Sequence, residues 1–255
     1  MKNLIITGGL GFIGKNVAKF FCEDKQFDKL YIIDKRTKVS DLAFFKNFLS
    51  SDYELIETCI SKIDLAKLGN NLEIINFAAE SHVDDSFENA VEFTKQNMLN
   101  THIMMENLRN SNSKFRLIHI STDEVYGGEM ESMCDENAPF NPSNPYSASK
   151  AGADLLVQTY MKCYDFNSAI IRANNLYGDY QNIQKLIPKA TYLSSKKEHF
   201  TLHGSGNQTR HFLHCRDFYE ALTTIMDVWD STSERLFNIA ADEQISVRDL
   251  VEKIY

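Results

Sequence analysis

The chain has 255 residues, 43% of them hydrophobic, enough for one large domain or for a core domain with a small second lobe. A net charge of -8 at pH 7 argues against nucleic acid or an anionic membrane as partner, because both favour basic patches. The five cysteines (Cys22, Cys59, Cys134, Cys163 and Cys215) are scattered without a C-x-x-C pair, which predicts buried or free thiols in a reducing cytoplasm. In chain order, Leu4-Ile5-Ile6 reads as a first strand, and its apolar run ends at Gly8-Gly9, too short for a signal-peptide core or a membrane span. A helical stripe at Ile13, Val17, Phe20 and Phe21 follows. Further short apolar runs lie at Leu30–Ile33, Leu55-Ile56, Ile74–Phe77, Leu117–Ile120 and Ala169–Ile171, with helical stretches between most of them. Uniformly apolar short strands alternating with helices predict an α/β fold, a Rossmann-like doubly wound parallel sheet covered on both faces. The longest helices are expected near Asn89–Asn107 and Tyr146–Tyr160. Asn144-Pro145 reads as an N-cap with proline at the first helical position. Past about Ile171 the alternation fades, which predicts a dinucleotide domain over 1–170 and a small substrate lobe, interleaved with the core, over 171–255. A last helix opens at Ser246, with Asp249 three residues on.

Thr7-Gly8-Gly9-Leu10-Gly11-Phe12-Ile13-Gly14 joins the first strand to the first helix. Glycines at 8, 11 and 14 permit a tight turn, close approach of backbone to a pyrophosphate, and close helix–strand packing. Asp34 at the end of the second strand suits the adenosine ribose hydroxyls and repels a 2′-phosphate, so NAD is favoured. Lys35 and Arg36 weigh toward NADP. Tyr146 and Lys150 stand at i and i+4 on one helix face, where an ammonium would lower the pKa of the phenol. Ser121-Thr122-Asp123-Glu124 ends a strand on the side where open α/β sheets hold ligands, and Thr122 can offer a hydroxyl to the same substrate oxygen as Tyr146. His199, His203, His211, His214 and Cys215 cluster in sequence without any zinc spacing, so no metal is expected.

Together these residues resemble the extended short-chain dehydrogenases, and within them the nucleotide-sugar 4,6-dehydratases. The matching pieces are TGGLGFIG, Asp34-Lys35, Ala78-Ala79-Glu80-Ser81-His82-Val83-Asp84, Ser121 to Gly127, and Tyr146 to Lys150. Further on they include Asn174 to Gly178, Lys185-Leu186-Ile187-Pro188, and His203-Gly204-Ser205-Gly206 with Arg210. The Asp123-Glu124 pair discriminates, since related epimerases and decarboxylases usually lack it. The resemblance implies an NAD-dependent lyase that makes a 4-keto-6-deoxy sugar and recycles its cofactor. Tyr146 would take the proton of the sugar 4-hydroxyl, Glu124 would be the base at C5, and Asp123 the acid that releases the C6 hydroxyl as water. Cofactor contacts are implied from Gly8, Gly11, Phe12, Ile13, Gly14, Asp34, Lys35, Cys59, Ile60, Ala78, Ala79, Asn97, Tyr146 and Lys150. Substrate contacts are implied from Asn175, Lys185, Leu186, Arg210 and Asn238. Ser81 and His82 would reach the substrate or the cofactor edge, with a structural role for His82 as the alternative. A homodimer built on the two long helices is also implied.

Two features depart from the family pattern. Where the family usually has an Asp and an aliphatic residue facing adenine, this chain has Cys59-Ile60, with Asp64-Leu65 nearby. Family members usually continue for tens of residues beyond Phe237-Asn238-Ile239 and one helix, so part of the substrate lobe is expected to be absent and the site open. An open site admits reprotonation of C5 from the other face, giving the 5-epimer. The alternative functions are a 4-epimerase or decarboxylase on the same scaffold, and a non-catalytic NAD-binding sensor. The sugar (glucose or N-acetylglucosamine) and the base (uracil or thymine) stay open.

Overall fold

The computed structural model describes residues 2–25, 27–38, 40–41, 44, 53–127, 134–202 and 204–255. Its centre is a seven-stranded, wholly parallel sheet. The strands are β1 (Asn3–Thr7), β2 (Lys29–Asp34), β3 (Tyr53–Glu57), β4 (Asn71–Asn76), β5 (Lys114–Thr122), β6 (Ser168–Ala173) and a late strand, β9 (Leu236–Ile239). They lie in the order β3-β2-β1-β4-β5-β6-β9. The order reverses between β1 and β4, and a crevice forms at the carboxyl ends of the strands there.

Alternation along each strand divides the apolar side chains between two cores. Leu4, Ile6, Ile32, Ile118 and Ile171 face one side, against Phe20 and Phe21 of α1 (Phe12–Asp24) and Phe218 and Leu222 of α7 (Cys215–Asp227). Ile5, Ile33, Ile74, Leu117 and Ile170 face the other, against Met104 and Leu108 of α4 (Asn100–Arg109) and Val157 and Tyr160 of α5 (Pro145–Tyr164). Both faces are covered, so the strands are apolar throughout rather than alternating with polar residues.

The helix expected near Asn89–Asn107 is a composite. A short α2 (Val83–Glu88) precedes α3 (Ala90–Phe93), which continues through a π-wound segment (Thr94–Leu99) into α4. Asn144 caps α5 reciprocally with Ser147, and Pro145 occupies the first turn. Tyr146 and Lys150 are thereby fixed one turn apart at the start of a 20-residue helix.

Residues beyond 170 do two things. They complete β6 and supply β9 and α7 to the main body. They also form a three-stranded sheet of β7 (Asn175–Tyr177), β8 (Thr209–His214) and β10 (Gln244–Ser246), flanked by α6 (Leu186–Lys196) and α8 (Val247–Ile254). Ser246 accepts the Asp249 N–H at 3.0 Å and so caps α8, the last helix. No helix among the described residues is long and apolar enough to cross a membrane.

Candidate active site

A cleft of about 870 Å³ runs along the carboxyl edge of the large sheet. One end is walled by the glycine loop. Gly8 adopts φ +65°, and a Cβ there would lie 2.7 Å from the Ala78 nitrogen; at Gly14 it would lie 2.5 Å from the Gly8 carbonyl oxygen. Only glycine permits both the turn and the close contact of loop and helix. Gly11 opens α1 without a side-chain cap and without an acid in the first turn. The unpaired N–H groups of that turn and the helix dipole therefore favour an anion, and Phe12, Ile13 and Gly14 line the cleft there.

Asp34 is buried at the end of β2. Its carboxylate accepts the N–H groups of Leu10 (3.1 Å) and Arg36 (2.8 Å) and the Ser40 hydroxyl (3.1 Å). The two basic residues that follow it are paired elsewhere, Lys35 with Glu80 at 2.6 Å and Arg36 with Glu57 at 2.9 Å. Cys59 and Ile60, rather than Asp64, reach the cleft wall. Asp64 instead caps the turn Leu65–Leu68. Ala78, Ala79, Ser81 and His82 line the cleft as well, and His82 Nδ1 also accepts the Asp85 N–H at the start of α2. His82 thus both lines the cleft and caps α2.

Tyr146 and Lys150 line the cleft as well, and beside Tyr146 lies the turn that carries the other residues expected to react. Thr122 terminates β5; its hydroxyl accepts the Glu124 N–H at 3.3 Å and donates to Asp123 Oδ1 at 3.2 Å, shaping the turn Asp123–Tyr126. It also acts on the buried Tyr146 phenol, partly offsetting the rise in its pKa. The two carboxylates have separate holders: Asn174 Nδ2 donates to Asp123 Oδ2 at 2.8 Å, and Asn144 Nδ2 to Glu124 Oε2 at 3.1 Å. Burial raises the pKa of Glu124; the Asn144 bond lowers it, Asp123 raises it, and Arg210 and Lys185 lower it by charge. Two cations are therefore within electrostatic reach of the carboxylate pair.

Three expectations need correction. Lys150 does not depress the Tyr146 phenol: its ammonium donates to the Ile120 carbonyl at 2.6 Å, while burial and the Glu124 charge push the phenol well above its ordinary value. Asn97, expected to contact the cofactor, is buried and does not line the cleft. Its amide accepts the Glu80 N–H (2.7 Å) and donates to Ser149 (2.9 Å), tying the 78–82 loop to α5. Asn238 is likewise engaged inside the protein, with Tyr126 at 2.9 Å and the Cys134 carbonyl at 3.0 Å. Of the other expected substrate residues, Lys185 lines the cleft, Leu186 begins α6, and Asn175 and Arg210 are exposed on the small sheet. His203 lies outside the described residues. His211 bonds the Ala241 carbonyl and His214 caps α7, and no group of His, Cys, Asp and Glu among the described residues could hold a metal. Spacing did not single out Asn144 and Asn174 as holders of the carboxylates; the only signal was their place beside the motifs. The phenol's environment has a measurable consequence. Ultraviolet titration of the free protein against Tyr146→Phe should show no Tyr146 phenolate up to about pH 10, the ordinary value.

The comparisons with known proteins agree with this geometry. Residues 5–255 match the family model described as GDP-mannose 4,6 dehydratase. The dTDP-D-glucose 4,6-dehydratase of Dictyostelium discoideum is 36% identical over 280 residues, covering 100% of this chain and 62% of that protein. A trifunctional UDP-glucose 4,6-dehydratase, 3,5-epimerase and reductase of Arabidopsis thaliana is 34% identical over 261 residues, covering 99% of this chain and 39% of that protein. The chain thus spans less than two thirds of either relative. Among solved structures, the dTDP-glucose 4,6-dehydratase of Streptomyces venezuelae with NAD bound superposes with a TM-score of 0.88 at 28% identity, over 100% of this chain and 80% of that one. By its glycine loop, its Thr-Asp-Glu turn and its Tyr-Lys helix, and by a match along almost its whole length, the chain belongs to the nucleotide-sugar 4,6-dehydratase family of the extended short-chain dehydrogenases.

Proposed function

We propose that the protein is an NAD-dependent hydro-lyase that removes water from a nucleoside-diphosphate hexose to give the 4-keto-6-deoxy sugar. The observation that carries this reading is the adjacent carboxylate pair Asp123 and Glu124, separately held and set beside Thr122 and Tyr146. The glycine cradle and the buried Asp34 fit a dinucleotide. With Lys35 and Arg36 paired to carboxylates, the case for a 2′-phosphate weakens and NAD is preferred over NADP. Residues 1–170 would serve the cofactor, and 171–255 the sugar nucleotide.

Bound NAD supplies the hydride acceptor at C4 and the donor at C6. Tyr146 then takes the proton of the 4-hydroxyl. Its phenolate needs a neighbouring cation, and Lys150, one turn on, provides it by exchanging its bond to the Ile120 carbonyl. The 4-ketone acidifies C5. Glu124, whose raised pKa makes it a stronger base than an ordinary glutamate, takes that proton and returns it to C5 once C6 has been reduced, and Asp123 protonates the departing C6 hydroxyl so that it leaves as water. Lys185 and Arg210 supply positive charge for the diphosphate.

We also assign a homodimer, on the exposed apolar side chains Phe87, Val91, Leu99 and Leu155 along α2, α3, the π-wound segment and α5. Sedimentation at a monomer mass would dismiss it. Five cysteines with no disulfide among them fit a cytoplasmic site of action. The decisive test is incubation with UDP-glucose, dTDP-glucose or UDP-N-acetylglucosamine, with product mass and cofactor followed together. Loss of one water from one of them, with no net consumption of NAD, is the expected result. An isomer of unchanged mass would mean an epimerase instead, and no conversion of any sugar would dismiss both enzymes.

A further inference from the structure

The proposed mechanism leaves one buried charge unexplained. Arg172 on β6 is only 2% exposed, and it is engaged on every side of its guanidinium. It grips the fully buried Asp154 of α5 with a two-pronged contact, Nε to Oδ2 at 2.9 Å and Nη2 to Oδ1 at 3.0 Å. Its remaining prong, Nη1, donates to the Tyr126 hydroxyl and to the Glu136 carbonyl at 2.9 Å. Tyr126 closes the turn that carries Asp123 and Glu124, and its own hydroxyl donates to Asn238 of β9 at 2.9 Å. Asp154 stands one turn beyond Lys150 and acts on it by charge. The guanidinium also lies 4.8 Å from the centroid of the Phe140 ring. One side chain therefore joins the helix of Tyr146 and Lys150 to the turn of Asp123 and Glu124.

A buried ion pair is a weak source of stability, because desolvation offsets most of its Coulomb attraction. An arginine fork shared between a carboxylate and a phenol does, however, fix geometry in a plane. We propose that Arg172, acting through the Tyr126 hydroxyl, is a positioning residue that sets the carboxylate turn in register with Tyr146 and Lys150, so that elimination can follow oxidation. Asn238 belongs to this device as the second partner of Tyr126. The inference rests on the dehydratase reading.

Tyr126→Phe removes one oxygen and keeps the ring against Phe140 and Arg172. In a single turnover with the sugar nucleotide that the wild type dehydrates, two rates are read: reduction of NAD, by absorbance, and loss of water, by mass. The expected result is an elimination rate lower by about ten- to a hundredfold, the size of effect a displacement near 1 Å produces, with NAD reduction within about twofold of wild type. Asn238→Ala, which removes the partner on the other side of the same hydroxyl, should split the two rates in the same direction. Equal loss of both rates, loss of neither, or failure of both variants to fold would overturn the proposal, since a merely structural role predicts no split. A wild type that dehydrates none of the sugars refutes the dehydratase reading itself, and this proposal falls with it. A wild type that dehydrates one of them while its variants show no split refutes this proposal alone.

Discussion

Glu124→Gln is expected to stop the loss of water while leaving hydride transfer to NAD intact. Removal of a general base in such a step reduces the rate by about two to four orders of magnitude. The substitution is nearly isosteric, and a glutamine oxygen can still accept the Asn144 amide that now holds Oε2 at 3.1 Å. The turn should keep its shape, and the 4-keto intermediate with reduced cofactor should accumulate. Absorbance of the reduced cofactor in a single turnover, together with deuterium exchange at C5 in heavy water, separates the two steps. Full turnover in the variant would remove Glu124 from the chemistry. The pH profile gives a second check. A base must be deprotonated to act, so the rate falls as pH falls through its pKa. Because burial raises that pKa, the acid limb of the wild-type profile should lie above the ordinary value of 4.5. A limb below that value would mean that a different group takes the proton.

Much of this site is legible in the sequence, and the parts that are not share a physical reason. The glycine loop, Asp34 and the Tyr146–Lys150 pair are encoded locally. A strand that ends in Gly8, a helix that begins at Gly11 and a spacing of four on α5 dictate where those groups go. The alternating cores followed for the same reason, since a parallel sheet covered on both faces demands uniformly apolar strands. Partners far apart in the chain are different. Asn97 meets Ser149 across 52 residues, and Tyr126 meets Asn238 across 112. A spacing rule sees an asparagine beside a motif and cannot tell whether its amide faces a ligand or is consumed by another loop. The same limit applies to Lys150. Four residues on a helix place it near Tyr146, but the carbonyl of Ile120 on β5 decides where its ammonium points. The π-wound segment at Thr94–Leu99 was also invisible, because no residue type marks an i→i+5 turn.

Lys150→Met should slow turnover severely and make the free protein more stable at neutral pH. Without the ammonium, the Tyr146 phenolate loses the cation proposed to stabilise it, and oxidation at C4 should slow by about two to four orders of magnitude. The stability effect has the opposite sign. Lys150 is 4% exposed, and burial lowers its pKa from 10.5 to about 8 although the Asp154 charge acts to raise it. A lysine depressed in the folded state contributes stability that is present above its unfolded pKa and is lost as pH falls through the folded one. Below pH 8 the charged form therefore costs about 3 kcal/mol relative to the unfolded chain. Methionine of similar length removes that cost. Asp154 keeps its two-pronged contact with Arg172, so no buried carboxylate is left alone. What is lost is the bond to the Ile120 carbonyl, which leaves a buried acceptor unpaired at a cost of about 1 kcal/mol. The net expectation is a gain of about 2 kcal/mol at pH 7, shrinking and then reversing as pH rises through the window from 8 to 10.5. Urea unfolding of both proteins at several pH values measures it. A variant less stable than wild type at pH 7 would mean that the lysine holds the fold together. A more stable but inactive one would mean that an ammonium held in an apolar site at the expense of stability is part of how this scaffold oxidises its substrate.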